Sequence, residues 1–324
     1  GFIGRAVVRD LLARGDTVTA AVRDPRRASG VVDLGAALVA SDLGDVATLE
    51  RVIAGHDAVV HLAGSYRIGI TTAERPAMWE ANVTTTQRVL DVAIAGGIPR
   101  IVYVSTGNVL GNTGGLVLDE AHDRDLVRQP FVSYYDETKF RAHELAIARA
   151  EAGAPVVIAM PGTVFGPGDH SAIGSQLRQA FDGTLRYRAL DDVGTTLVHV
   201  DDEAAGILRV LDGGRLGESY ILAGRPQRLR QALALAAYLG GRRLTPVRIP
   251  TPVLRTLAPI GPRFGGRSGL PENMGEVVSA AAGVTYWASS AKAERELGFH
   301  PRELEAGLRD WLLAPTRASG AAAG

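Results

Sequence analysis

Cysteine is absent from this 324-residue chain, which excludes a disulfide framework, a thiolate metal site and a cysteine nucleophile, and fits a reducing compartment. Net charge is absent as well: 35 basic and 35 acidic residues cancel and lie scattered, so no basic stripe is offered to nucleic acid. No apolar run reaches the roughly 20 residues that a membrane-spanning helix needs. Internal repeats are missing too, and the Ala/Gly/Ser-rich tail, 316–324, is expected to be disordered. What is present, 46% hydrophobic residues and 39 glycines, suffices for one large core and a smaller lobe.

Lysine is scarce, since Lys139 and Lys292 are the only two among the 35 basic residues. In a chain that writes almost every cation as Arg, a retained Lys marks a position that wants a compact ammonium rather than a planar guanidinium. Lys139 follows Tyr135 by four residues in Ser133-Tyr134-Tyr135-Asp136-Glu137-Thr138-Lys139. Residues 133–150 carry the apolar positions Phe140, Leu145 and Ile147 among charged neighbours, as a helix would, and the spacing then puts phenol and ammonium on one face. A cation beside a phenol favours phenolate, and a drop of about three units from ~10 corresponds to roughly 4 kcal/mol. Tyr135 would then exchange protons near neutral pH.

Upstream, Arg100-Ile101-Val102-Tyr103-Val104 reads as a buried strand that delivers Ser105 and Thr106 at its C-terminal end, where open α/β sheets bind ligands. Strand end, loop and a helix bearing Tyr-x-x-x-Lys resemble the extended branch of the short-chain dehydrogenase/reductase superfamily, which includes the NAD-dependent epimerase/dehydratase enzymes. The resemblance covers most of the chain. It implies an α/β fold, a Rossmann-type doubly wound parallel sheet with a smaller C-terminal substrate-binding lobe. Gly1-Phe2-Ile3-Gly4 matches the second half of the superfamily's glycine-rich turn. The first strand is missing from the sequence, which is expected to be a fragment lacking roughly ten residues of that turn and strand.

The same resemblance assigns the cofactor site. Gly1, Phe2, Ile3 and Gly4 would approach the pyrophosphate, Asp42 and Leu43 the adenine, Ala63 and Gly64 the turn beside the cofactor, and Pro161 and Val164, in a loop from Pro161 to Asp169 punctuated by Gly and Pro, the nicotinamide end. Tyr135 and Lys139 would also touch the cofactor. Where NAD-binding members place an acid this chain has Val22, followed by Arg23 with Arg26 and Arg27 nearby, so NADP(H) is preferred and NAD(H) is the alternative. Asp24 stands next to Arg23. The catalytic set implied is Thr106, Tyr135 and Lys139, with Ser105 as a substitute hydroxyl and Asn82 bracing the active-site loops. His61, alone on an apolar strand, is read as a core residue; His199, Asp201 and Lys292 are read as structural, and no metal site is expected.

Departures from the pattern narrow the reaction. Gly107-Asn108 replaces the Asp-Glu pair of dehydratases, and Thr195 stands where nucleotide-sugar enzymes place an Arg to clamp a diphosphate, leaving Arg178, Arg186 or Arg188 as other clamps. The chain therefore looks similar to dihydroflavonol-reductase-like members, which reduce ketones or aldehydes with NADPH. Epimerisation of a nucleotide sugar and a non-catalytic NADP sensor are the alternatives. The expected division is 1–165 and about 196–225 for the Rossmann domain, and about 166–195 and 226–315 for the substrate-binding lobe. Residues 65–80, with Tyr66, Arg67, Met78 and Trp79, and residues 170–195 would wall the pocket, and 242–267 would cap it or contact a second subunit. A small carbonyl or alcohol substrate, a cytoplasmic location, a homodimer through the Tyr-Lys helix, and no membrane or nucleic-acid partner complete what the resemblance implies.

Overall fold

A computed structural model describes residues 1–257 and 273–314. Its centre is made of short aliphatic runs, the composition of strands covered on both faces. β1 (Thr19–Val22) and β2 (Ala37–Ala40) pair in parallel as one small sheet. β3 (Val59–His61), β4 (Ile101–Val104), β5 (Val156–Pro161) and β9 (Ser219–Leu222) form a second parallel sheet in the order β3-β4-β5-β9. Among the described residues no strand joins β1 to β3.

Alternation along the strands sends side chains to two helical layers. Ile101, Tyr103, Val156, Ile158 and Met160 pack with Leu90 and Ala142 on one side, whereas Val102, Val104, Val157 and Ala159 pack with Val7 and Ile207 on the other. Each such fully buried aliphatic side chain contributes about 1.5–3 kcal/mol, so strand register is fixed by the core and the strand ends cannot slide. That fixity carries the loops after β3, β4 and β5 to one edge of the sheet. The first helix, Phe2–Ala13, stops where Gly15 takes a φ of 96°, a conformation without penalty for glycine.

The Tyr-Lys helix spans Tyr134–Glu151. Ser133 caps it by accepting from the Asp136 N–H, Asp136 and Glu137 lie in its first turn, and Arg149 lies in its last, each placed favourably against the helix dipole.

The punctuated segment Pro161 to Asp169 is not loop throughout. β5 runs to Pro161, and β6 (Thr163–Phe165) pairs in parallel with β8 (Gly194–His199), which pairs in turn with β10 (Pro226–Arg228). Val164 and Phe165 have apolar neighbours on both sides, and this outweighs the flanking Gly and Pro. A third cluster, with Phe165, Leu177, Leu233 and Trp311, lies around these strands. β7 (Arg188–Ala189) pairs with β11 (Arg248–Ile249), which with the short helix Thr251–Leu257 makes up the described part of the expected cap. The rest of that cap, 258–267, and the tail, 316–324, lie outside the described residues. Among the described residues no helix is long and apolar enough to cross a membrane.

Candidate active site

β4 ends at Val104, and the chain turns at once into Ser105 and Thr106. The Ser105 N–H donates to the Ala159 carbonyl at 2.8 Å, which continues the ladder, and its hydroxyl lies 3.0 Å from His143 Nδ1. Ser105 is thereby turned into the core. Thr106 caps the short turn that follows, accepting from the Asn108 N–H, and its hydroxyl also hydrogen-bonds to the Tyr135 phenol. Of the two candidate hydroxyls, Thr106 is the one beside Tyr135.

Tyr135 is buried in a small apolar cluster with Ile70 and Met78, flanked by Ile68 and Tyr134. Tyr66 meets its ring edge-on with centroids 4.9 Å apart. Met78 therefore packs on Tyr135 itself, whereas Trp79 is partly exposed.

Lys139 lies on the same helix and is equally buried, but its ammonium does not turn to Tyr135. Nζ donates to the Tyr103 hydroxyl at 3.3 Å and to the Val104 carbonyl at 3.2 Å, and stands 5.1 Å from the Tyr103 ring centre. The expectation that Lys139 lowers the Tyr135 phenol is thereby corrected. Burial pushes the phenol above its ordinary value, nearby Tyr66 adds to this, and the Thr106 hydrogen bond pulls the other way. Spacing placed the pair on one face, but burial decides the protonation state: Tyr135 stays protonated at neutral pH, as a proton donor must.

Burial also lowers Lys139, to about 8. Its unfolded value, near 10.5, is higher, so the folded state holds this proton less tightly. The sign is destabilising: the burden is full below pH 8, shrinks between 8 and 10.5, and is gone above. Lys139→Met is accordingly expected to raise stability at pH 7 by about 2 kcal/mol, after allowing for the two lost hydrogen bonds. Denaturant melts of both proteins at pH 7 and pH 10.5 check this, and an equal gain at both would refute the electrostatic origin.

Asn82 sits on a π-helical turn, Glu80–Thr84, a bulge that aims its side chain inward. Its Nδ2 donates to the Ser65 carbonyl at 3.0 Å and to the Thr138 hydroxyl at 2.9 Å, and its Oδ1 accepts from the Ser65 N–H at 2.6 Å. It ties the loop after β3 to the Tyr-Lys helix. A side chain at Gly64 would press on it, with a Cβ 3.2 Å from Asn82 Oδ1.

Two features left no signal in the sequence. Glu276, from the helix Met274–Ala281, accepts from the Gly69, Ile70 and Tyr134 N–H groups at 2.7, 3.1 and 2.5 Å, so one carboxylate holds the pocket wall against the start of the Tyr-Lys helix. Arg124 forms a buried pair with Asp136, the neighbour of Tyr135, at 2.7 and 2.8 Å. Glu276 reaches residues far from it along the chain, and Arg124 reaches Asp136 from an irregular loop. The residues read as structural fulfil that role: His61 bonds to the Thr86 hydroxyl at 2.9 Å, His199 caps its helix, and Lys292 pairs with Glu218 at 2.6 Å.

The residues expected to hold a dinucleotide lie at the start of the first helix, after β1, β2 and β3, at the end of β5 and on β6. The first helix starts from Gly1 without a side-chain cap, so its leading N–H groups are available to an anion, and a Cβ at Gly1 would meet nothing within 4 Å. Phe2 and Ile3 anchor that end in the core, and a Cβ at Gly4 would just reach Leu62 at 4.0 Å. Asp42 is exposed and accepts from the Gly44 N–H at 3.0 Å, while Leu43 packs on the core. Next to it the Ser41 hydroxyl is buried without a hydrogen-bond partner among the described residues. Ala63 and Gly64 are exposed, Pro161 is buried at the end of β5, and Val164 is half-buried. Arg23 is exposed after β1 with no ion pair among the described residues, whereas Asp24 accepts from the Arg26 backbone and guanidinium. An uncapped helix start with open space at Gly1 and the exposed Arg23 fit a nucleotide's phosphates.

Of the alternative diphosphate clamps, Arg178 lies over the Trp311 ring at 5.1 Å and Arg188 is paired with Asp191 at 2.6 Å, so neither serves. Arg186 is exposed, and Thr195 is buried in β8. Among the described residues no group of His, Asp or Glu is arranged to hold a metal ion.

Known proteins are similar to this chain. Residues 1–223 match the NAD dependent epimerase/dehydratase family. The chain is 32% identical, over 93% of its length and 90% of the relative's, to a 4-hydroxy-2-methyl-3-oxo-4-farnesyl-3,4-dihydroquinoline-1-oxide ketoreductase of Stigmatella aurantiaca. It is 28% identical to a protein of Synechocystis sp. provisionally named dihydroflavonol 4-reductase, over 96% of this chain and 90% of that one. Among solved structures, that of gox2253 superposes with a TM-score of 0.82 at 28% identity, covering 97% of this chain and 94% of that one.

Proposed function

Because the chain belongs to the NAD dependent epimerase/dehydratase family, we propose that it works as an NADPH-dependent reductase of apolar ketones or aldehydes. It is an NAD(P)-dependent oxidoreductase acting on CH–OH and C=O groups, in line with its family and its ketoreductase relative. The observation that carries the finer reading is the wall around Tyr135: Ile68, Ile70, Met78 and the rings of Tyr66 and Tyr134 offer apolar surface. The arginine beside them, Arg75, lies over the Tyr134 ring at 4.9 Å.

In this reading the Tyr135 phenol donates its proton to the carbonyl oxygen, and the Thr106 hydroxyl holds that oxygen and fixes the direction of transfer. The reduced nicotinamide cofactor supplies the hydride when bound. Lys139 would hold its ribose, and the helix start at Gly1 to Gly4 its pyrophosphate. Arg23 would pair with a 2'-phosphate, which favours NADP(H) over NAD(H). The apolar wall excludes water from the transfer and positions the substrate by shape. A Rossmann domain of 1–165 and about 196–225, a substrate-binding lobe of about 166–195 and 226–315, and a homodimer through the Tyr-Lys helix belong to the same proposal.

The test is consumption of NADPH by the purified protein over a panel of alkyl and aryl ketones, aldehydes and nucleotide sugars, with NADH in parallel. Net oxidation of NADPH by apolar carbonyls, with NADH poorer, is expected. Conversion of a nucleotide sugar without net cofactor change would replace the reductase reading with epimerisation.

A further inference from the structure

The pocket wall and the start of the Tyr-Lys helix, the two backbone segments that flank Tyr135, both donate to one carboxylate from near the far end of the chain, that of Glu276. Resting on the reductase reading, we infer that Glu276 is a positioning residue for the proton transfer. Its carboxylate couples the proposed substrate-binding lobe to Tyr135, so that the phenol and the wall beside it are set for catalysis only with the lobe in place.

The two oxygens divide the work. Oε2 accepts from the successive N–H groups of Gly69 and Ile70 at 2.7 and 3.1 Å. Gly69 takes a φ of 82°, and a left-handed residue in such a turn brings neighbouring N–H groups to one side, as in an anion-binding nest. Oε1 accepts from the Tyr134 N–H at 2.5 Å, at the positive end of the Tyr-Lys helix. Hydrogen bonds to a carboxylate are roughly twice as strong as those between neutral groups, so both segments are firmly held. Each segment also touches Tyr135: Ile70 shares its apolar cluster, and Tyr134 precedes it in the chain and packs on the same cluster.

The helix Met274–Ala281 that carries Glu276 is itself fixed to the proposed lobe. The Tyr286 hydroxyl donates to the Ala280 carbonyl at 2.7 Å, and Gly194, at the start of β8, donates to the Val284 carbonyl at 2.8 Å and accepts from the Tyr286 N–H at 3.0 Å. At the other end of the helix, Asn273 accepts from the Glu276 N–H at 3.1 Å, and its own N–H donates to the Gly69 carbonyl at 3.1 Å. A displacement of the lobe is therefore passed through Glu276 and its cap Asn273 to the wall and to the helix start. Glu276 acts through these backbone groups and not on the substrate. The sensitivity comes from the reaction: the phenol must lie within hydrogen-bond reach of the carbonyl oxygen that Thr106 holds, and a misplacement of about 1 Å can cost about 10²-fold in rate.

The experiment compares Glu276→Gln and Glu276→Ala with the wild type in carbonyl reduction, in light and heavy water. Gln keeps the length of Glu but offers one accepting oxygen and an NH₂ group that can only donate, so either the nest or the helix start loses its acceptor. In Ala both are lost. kcat is expected to fall about tenfold for Gln and about 10²-fold for Ala, with a larger solvent isotope effect and KM for NADPH unchanged. A merely structural role would lower kcat only in step with the folded fraction read by circular dichroism, and would leave the isotope effect at its wild-type value. That result, or no loss in either variant, overturns the inference. If the wild type oxidises no NADPH, the reductase reading fails instead, and the coupling is then judged on cofactor-free protein by nuclear magnetic resonance. Faster amide exchange at Gly69, Ile70 and Tyr134 and a shifted Tyr135 ring signal are expected in Glu276→Gln, and an unmoved Tyr135 signal overturns the coupling by itself.

Discussion

Tyr135→Phe is expected to lower kcat for carbonyl reduction by about 10³-fold, roughly 4 kcal/mol of barrier, while leaving NADPH binding and thermal stability near those of the wild type. The ring packs on Ile70, Met78 and Tyr66, and Phe keeps all of that contact. What is removed is the one hydroxyl that burial holds protonated beside Thr106. Hydride arriving at carbon without a proton for the oxygen would leave an alkoxide in an apolar site, where it is strongly disfavoured. Stopped-flow and steady-state kinetics with NADPH check the outcome, and a loss below about tenfold would mean that Tyr135 is not the acid. The wild-type profile follows from the same groups: Lys139, lowered to about 8, loses its charge as pH rises past that value. Reduction should therefore be constant below about pH 7 and fall above 8, with the phenol itself remaining protonated throughout.

Much of this site was legible in the sequence because it depends on local periodicity. An apolar four-residue run marked the end of β4 and hence Ser105 and Thr106, and a four-residue spacing put Tyr135 and Lys139 on one helix face. Asn82 was found through family resemblance, and its hydrogen bonds to Ser65 and Thr138 supply the physical reason for it. Protonation was not legible, since it is set by how completely the surrounding elements bury each group. Neither were the contacts made by Glu276 and Arg124, whose partners lie far along the chain from them or in irregular loops. β6 was missed for the opposite reason: glycine and proline report local turn preference, but the core on either side of Val164 and Phe165 overrides it.

Arg124→Met is expected to destabilise the fold by about 3–5 kcal/mol, the range for a buried ion pair deprived of one partner. The guanidinium has five N–H donors and here makes five hydrogen bonds: Nε to the Gln129 carbonyl, Nη1 to Val109 and Asp136, and Nη2 to Pro130 and Asp136. Phe131 and Phe140 flank it at 4.9 and 5.4 Å. Gly111 leaves it room, because a Cβ there would come within 2.6 Å of Arg124 Nε. Without the cation, Asp136 would be a buried carboxylate supported only by the Val132 N–H, in the first turn of the helix that carries Tyr135. The loss should thus reach kcat as well as the denaturation midpoint. Asp136→Leu added to Arg124→Met removes the stranded charge and should recover more than half of the lost stability, since an apolar pair of similar volume is tolerated where a lone charge is not. It should not recover kcat, because the five bonds that fix the loop against the helix are still missing. A double variant as unstable as the single one would show that loop packing, rather than the unpaired carboxylate, dominates the penalty.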